Sequence, residues 1–84
     1  MPRLCQLDGI RVWMDYMGHN PPHIHASHGE HEISILIRDT RVTGGSLPRP
    51  KERILIKWIQ ERQQEILAAW DSAHNGREFE QIEP

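Results

Sequence analysis

Apolar and polar residues alternate with a period of two through the N-terminal half of the chain, the pattern of strands with one buried face. Arg3 to Leu7 and Ile10 to Met17 flank Asp8-Gly9, a dipeptide suited to a type I′ hairpin turn because both of its positions need positive φ. In that register Leu7 faces Ile10 and Cys5 faces Val12. One face then carries Cys5, Leu7, Ile10, Val12 and Met14, and the other carries Leu4, Gln6, Arg11, Trp13 and Asp15. Gly18-His19-Asn20-Pro21-Pro22 must be a turn, since adjacent prolines fit neither a helix interior nor a central strand.

Extended structure resumes over His23 to His28 and, after Gly29-Glu30, over His31 to Arg38. A two-residue loop pairs His28 with His31, Ala26 with Ile33, His25 with Ser34 and Ile24 with Ile35. Directly opposed residues share a face. Ile24, Ala26, Ile33, Ile35 and Ile37 therefore form one apolar side, and His23, His25, Glu32 and Ser34 gather on the other. A short fifth strand is expected near Arg41 to Thr43.

From Pro50 onward the period lengthens. Apolar residues at Ile54, Leu55, Trp58, Ile59, Ile66, Leu67, Trp70 and Ala73 follow helical spacing, with Pro50 suited to the first turn and Asn75-Gly76 to the stop. The fold expected is α+β: an antiparallel sheet of four to five short strands in two hairpins, with one long C-terminal helix packed on the isoleucine face. It forms a single domain, with the sheet over about 3–44, the helix over about 49–75 and a tail over 77–84.

The chain has 84 residues, a formal net charge of −2 and a single cysteine. One cysteine cannot close an internal disulfide, which fits a reducing compartment. No apolar leader or membrane-length run is present in the sequence given, and a cytoplasmic location is expected. The one compositional excess is histidine, with six in all and five between His19 and His31.

His19-Asn20-Pro21-Pro22-His23-Ile24-His25 forms an H-x-P-P-H-x-H stretch. It stands with an N-terminal Met1-Pro2, a Gly45-Ser46-Leu47-Pro48 lead-in to the helix, and Trp70 late in that helix. In these features the chain resembles the small bacterial proteins grouped as domain-of-unknown-function family 4160, across essentially its whole length. The resemblance implies a prokaryotic origin and pairing with a second small protein, in loci proposed to be toxin–antitoxin modules. It brings no catalytic mechanism with it.

The histidines admit three chemistries. His23 and His25 lie two apart on a strand, about 6.6 Å along the chain, so two imidazoles can converge on one ion. With His19 and Glu32 as further ligands they would hold a divalent transition metal, zinc or nickel. Alternatively His23 and His25 act as acid and base in a small ribonuclease, with Arg11 or Arg38 supplying positive charge; whether the chain is an enzyme stays open. The third reading is structural, with the imidazoles bonding backbone carbonyls around the diproline turn. His28 and His31 read as turn residues, and His74 as a favourable partner of the helix dipole.

Two further surfaces suggest partners. Leu4, Trp13 and Leu36 fall on the histidine side of the sheet, where they would meet a second copy or a small partner protein. Arg38, Arg41, Arg49, Lys51 and Arg53 cluster in sequence and could contact RNA phosphates, although such residues often form a solvated helix face. Cys5, Trp58 and Trp70 read as core.

Overall fold

Asp8 and Gly9 both take positive φ, at 49° and 79°, and close a hairpin between β1 (Arg3–Leu7) and β2 (Ile10–Trp13). The structure, a computed structural model, describes residues 3–14 and 21–84. His19 and the end of the expected strand at Met17 lie outside those residues. Leu7 pairs with Ile10 and Cys5 with Val12, as the turn dictates. A second hairpin joins β3 (His23–His28) to β4 (His31–Leu36), with His28 opposite His31, Ala26 opposite Ile33, His25 opposite Ser34 and Ile24 opposite Ile35. β5 (Val42–Gly45) completes a five-stranded antiparallel meander in the order β1-β2-β3-β4-β5.

Two helices follow where one was expected. α1 (Arg49–Glu61) and α2 (Gln63–His74) meet at Arg62, whose φ of −113° and ψ of 18° leave the helical region. No glycine or proline marks this junction. The break coincides with side-chain anchors: Gln63 Nε2 donates to the carbonyls of Ile37 (2.9 Å) and Arg38 (2.7 Å) beyond β4, and the Arg62 guanidinium donates to the Pro84 carbonyl. The buried stripe runs through the break in phase, from Leu55, Trp58 and Ile59 to Ile66, Ala69, Trp70 and Ala73.

Ile24, Ala26, Ile33, Ile35 and Ile37 are all buried and join the helical stripe in one core with Val12, Met14 and Leu47. Strand alternation thus sorts the second hairpin as its sequence predicts. Leu4 corrects the first hairpin. A register shift between Arg3 and Cys5 makes Leu4 a bulge residue, so Leu4 and Cys5 are both buried in the core, at 0% and 2% exposure. Leu4 therefore leaves the expected partner patch.

The tail is also docked. The Ile82 amide donates to the Leu4 carbonyl (2.8 Å), the Ile82 side chain is buried, and Trp58 Nε1 donates to the Glu83 carbonyl (2.8 Å). Lys51 Nζ reaches across to the Asp8 carbonyl and carboxylate at 2.8 and 2.9 Å, joining the start of α1 to the first turn. No helix among the described residues is long and apolar enough to cross a membrane.

Candidate functional site

β3 offers its odd residues to one side of the sheet and its even ones to the core. His23 and His25 are half-buried while Ile24 and Ala26 are fully buried, so both imidazoles share the face opposite the isoleucines. Their ring centres lie 5.1 Å apart with planes at 83°. Cross-strand pairing sets Trp13 beside His25 on β2 and Ser34 beside it on β4. The Trp13 and His25 rings stack at 5.8 Å, with an interplanar angle of 19°. Ser34 Oγ lies 3.2 Å from His25 Nδ1.

His23 is held more tightly. Its Nδ1–H donates to the Pro21 carbonyl at 3.0 Å, so the diproline turn supplies the acceptor that orients the ring. A carbonyl accepts only, so in the neutral imidazole this bond places the proton on Nδ1 and the lone pair on Nε2. On its other flank His23 meets Trp70 of α2 at 5.1 Å, and Trp70 meets His74 at 4.5 Å. Five rings thus form a continuous ladder: Trp13, His25, His23, Trp70 and His74. The sequence contains a signal for its last step, because residues four apart on a helix are neighbours. The reading of His74 as a dipole partner alone passes over that spacing. Trp70 is buried as expected, but it packs on His23 as well as within the core.

Beside the imidazole pair lies an open depression of about 430 Å³, lined by Pro21, His23, His25, Ser34, Leu36, Arg41 and Thr43. None of the described residues that line it is a carboxylate. Arg41 makes no ion pair among the described residues. On the far side of His25 a smaller hollow is lined by Trp13, Glu32, Gly44 and Gly45 among others. His25 and Ser34 line both.

This geometry revises several expected roles. Glu32 lines the hollow across His25 from the depression, and no group of three His, Cys, Asp or Glu suited to a metal forms among the described residues. The expected convergence of His23, His25 and Glu32 as a ligand set is therefore not formed. His19 lies outside the described residues. Arg11 is exposed opposite Ser27, two residues along β2 from Trp13, and does not line the depression. The arginine that does is Arg41, brought there by the β4–β5 turn. Of the other basic residues, Lys51 is committed to Asp8, while Arg38, Arg49 and Arg53 are exposed and line no part of the depression. His28 Nδ1 donates to the Gly9 carbonyl at 3.1 Å, tying one hairpin turn to the other, and His31 is exposed. Cys5 is a free buried thiol, and burial raises its pKa above the ordinary value, with the Arg62 charge opposing and the Glu83 charge adding to the shift.

The family described as "Domain of unknown function (DUF4160)" matches residues 9–71, three quarters of the chain. No curated protein and no solved structure matches it.

Proposed function

We propose, for a chain that belongs to the DUF4160 family, that it is a small interaction module holding a second small protein against the histidine side of its sheet, as in a toxin–antitoxin pair. One observation carries this reading. The helices pack into the isoleucine core, leaving Trp13, His25 and Leu36 half-buried on the opposite side, with their rings already ordered by stacking. Ordered aromatic surface has little conformational entropy left to lose on binding, which is the character of an interface anchor. The rim favours an acidic partner, because Arg11 and Arg41 are exposed on this side against Glu32 among the described residues that line its hollows.

The test is co-expression with candidate small acidic proteins from the same locus, read by size-exclusion chromatography with light scattering. A heterodimer lost in Arg11→Glu and in Trp13→Ala, but kept in His31→Ala at the exposed hairpin turn, supports the reading. A complex indifferent to Arg11→Glu and Trp13→Ala, or a homodimer that excludes these candidates, refutes it.

A second reading has its own observation. Two imidazoles binding one ion through Nε2 at about 2.0–2.1 Å, in tetrahedral geometry, have ring centres about 5 Å apart. The His23–His25 separation is 5.1 Å. The Pro21 carbonyl on Nδ1 is the kind of outer partner that orients a ligating histidine. His23 and His25 would then be two ligands of a divalent transition metal, zinc or nickel, with the remaining positions filled by other donors. Untagged protein purified without chelators and carrying close to one equivalent of metal supports this; well below one equivalent sinks it.

A further inference from the structure

We infer that the groove between the β1 edge and the α1–α2 junction is a binding site for an extended peptide, which the chain's own residues 80–84 fill and guard. The ligand class is an extended segment carrying one branched aliphatic residue followed by an acidic one. The inference uses none of the residues of the partner reading and does not depend on it. The docked tail shows how the groove recognises a chain. The Ile82 amide donates to the Leu4 carbonyl at 2.8 Å, Trp58 Nε1 donates to the Glu83 carbonyl at 2.8 Å, and the Arg62 guanidinium donates to the Pro84 carbonyl at 3.4 Å. All three bonds use main-chain groups of the tail, and Ile82 alone of residues 80–84 is buried. Main-chain bonds at a sheet edge, with a pocket for one side chain, are the terms in which strand-adding peptides are recognised. The acidic position has a counterpart too: the charges of Arg62 and Glu83 both bear on the Cys5 thiol, so they sit at the same end of the groove.

The tail is an exchangeable occupant rather than a fixed part of the core. Residues 77–84 form no helix or strand, and they follow Gly76, whose φ of 70° turns the chain back from the end of α2. They also leave the groove part empty. A hollow of about 320 Å³ stays open between Ala68, Ala69 and Ser72 of α2 and Phe79 to Ile82 of the tail. A partner segment with more apolar bulk there gains contacts that the tail does not make. The buried isoleucine and the three bonds, less the entropy of ordering the segment, hold the tail docked by about a hundredfold. On so short a tether the tail meets its own groove at roughly 1 mM. The same segment supplied free therefore binds an emptied groove at roughly 10 µM, and an occupied one about a hundredfold more weakly.

The test keeps the chain at full length. Ile82→Asp puts a charge where the buried side chain sits and releases the tail, while every groove residue stays as it is. Wild type and variant labelled with nitrogen-15 are titrated with a synthetic peptide of residues 78–84 and followed by NMR at the Trp58 indole Nε1–H, whose acceptor is the Glu83 carbonyl. The variant should bind at roughly 10 µM and the wild type about a hundredfold more weakly. A peptide with valine in place of the isoleucine should bind within about tenfold, and one with aspartate there should lose binding. A thermal melt and unchanged signals from Trp13 and His25 show that the variant folds. Should it not fold, Ile82→Ala, which weakens docking without adding a charge, must bind the peptide with an affinity between those two values. Equal affinity in wild type and variant, no saturable binding by the folded variant, or equal binding of the aspartate peptide overturns the proposal.

Discussion

Leu4→Ala decides whether the first strand contains the bulge that removes Leu4 from the sheet face. Leu4 is 0% exposed, and its carbonyl accepts the Ile82 amide. The substitution removes three buried carbons, about 2.4 kcal/mol of transfer free energy at ~0.8 kcal/mol each. Incomplete collapse of the resulting cavity adds to this, for a total of about 3 kcal/mol. A domain of 84 residues is stable by only about 4–13 kcal/mol at ~0.05–0.15 kcal/mol per residue. The loss should lower the melting temperature by roughly 12–24 °C, at ~4–8 °C per kcal/mol. Leu36→Ala is the control, because Leu36 is half-buried on the histidine side and should cost about 1 kcal/mol. Thermal melts followed by far-ultraviolet circular dichroism, at one protein concentration, read both. Were Leu4 on the sheet face, as simple alternation from Cys5 demands, the two variants would melt together. A Leu4→Ala melting point within about 4 °C of the parent refutes the bulge.

Gly45→Ala should cost more than Gly29→Ala. Both glycines have positive φ, but a Cβ at Gly45 collides with the Glu32 carbonyl, whereas at Gly29 it meets open space. The expected losses are about 1 kcal/mol at Gly29 and 2 kcal/mol or more at Gly45, measured by urea denaturation; equal losses would contradict the packing of β5 on β4. Cys5 should react with a thiol reagent only as fast as the protein opens. Because burial raises its pKa, the folded state keeps a proton that the unfolded chain gives up, so stability falls as pH rises past the ordinary value of 9.0, and Cys5→Ala should remove that part of the alkaline loss. Cutting the chain after Phe79 removes the buried Ile82 and the acceptor of Trp58 Nε1, for a predicted loss of about 3 kcal/mol. A truncated protein as stable as the parent would show that the tail does not hold the β1 edge.

The second hairpin was legible because every residue of its pattern agrees with its turn. Gly29-Glu30 fixes the loop length, and a one-residue slip would turn the isoleucines of the slipped strand to solvent and, in β3, His23 and His25 into the core. Leu4 was not legible, because Leu4-Cys5 is an apolar pair in which either member can face inward and no glycine announces the extra residue. The helix break at Arg62 escaped for the opposite reason. Ile59 and Ile66 are seven apart, so the apolar stripe passes through the junction without a phase shift, and only tertiary anchors such as Gln63 to the Ile37 and Arg38 carbonyls reveal it. In the sequence Arg41 is one of a run of basic residues. Nothing in its immediate sequence distinguishes it from Arg38; the turn between β4 and β5 does.

The placement of the histidines on a central strand bears on how such a site works. β3 is flanked by β2 and β4, so its backbone is fixed on both edges. Each imidazole is then oriented at Nδ1, one by the Pro21 carbonyl and one by the Ser34 hydroxyl, and each packs against an indole, Trp70 for His23 and Trp13 for His25. A purely structural histidine needs its hydrogen bonds satisfied, and the turn carbonyl alone does that for His23 Nδ1. It does not need a second imidazole 5.1 Å away and indoles packed on both imidazoles. Those features cost conformational entropy without adding to the isoleucine core, which is the relation expected of a preorganised binding site rather than of a fold determinant.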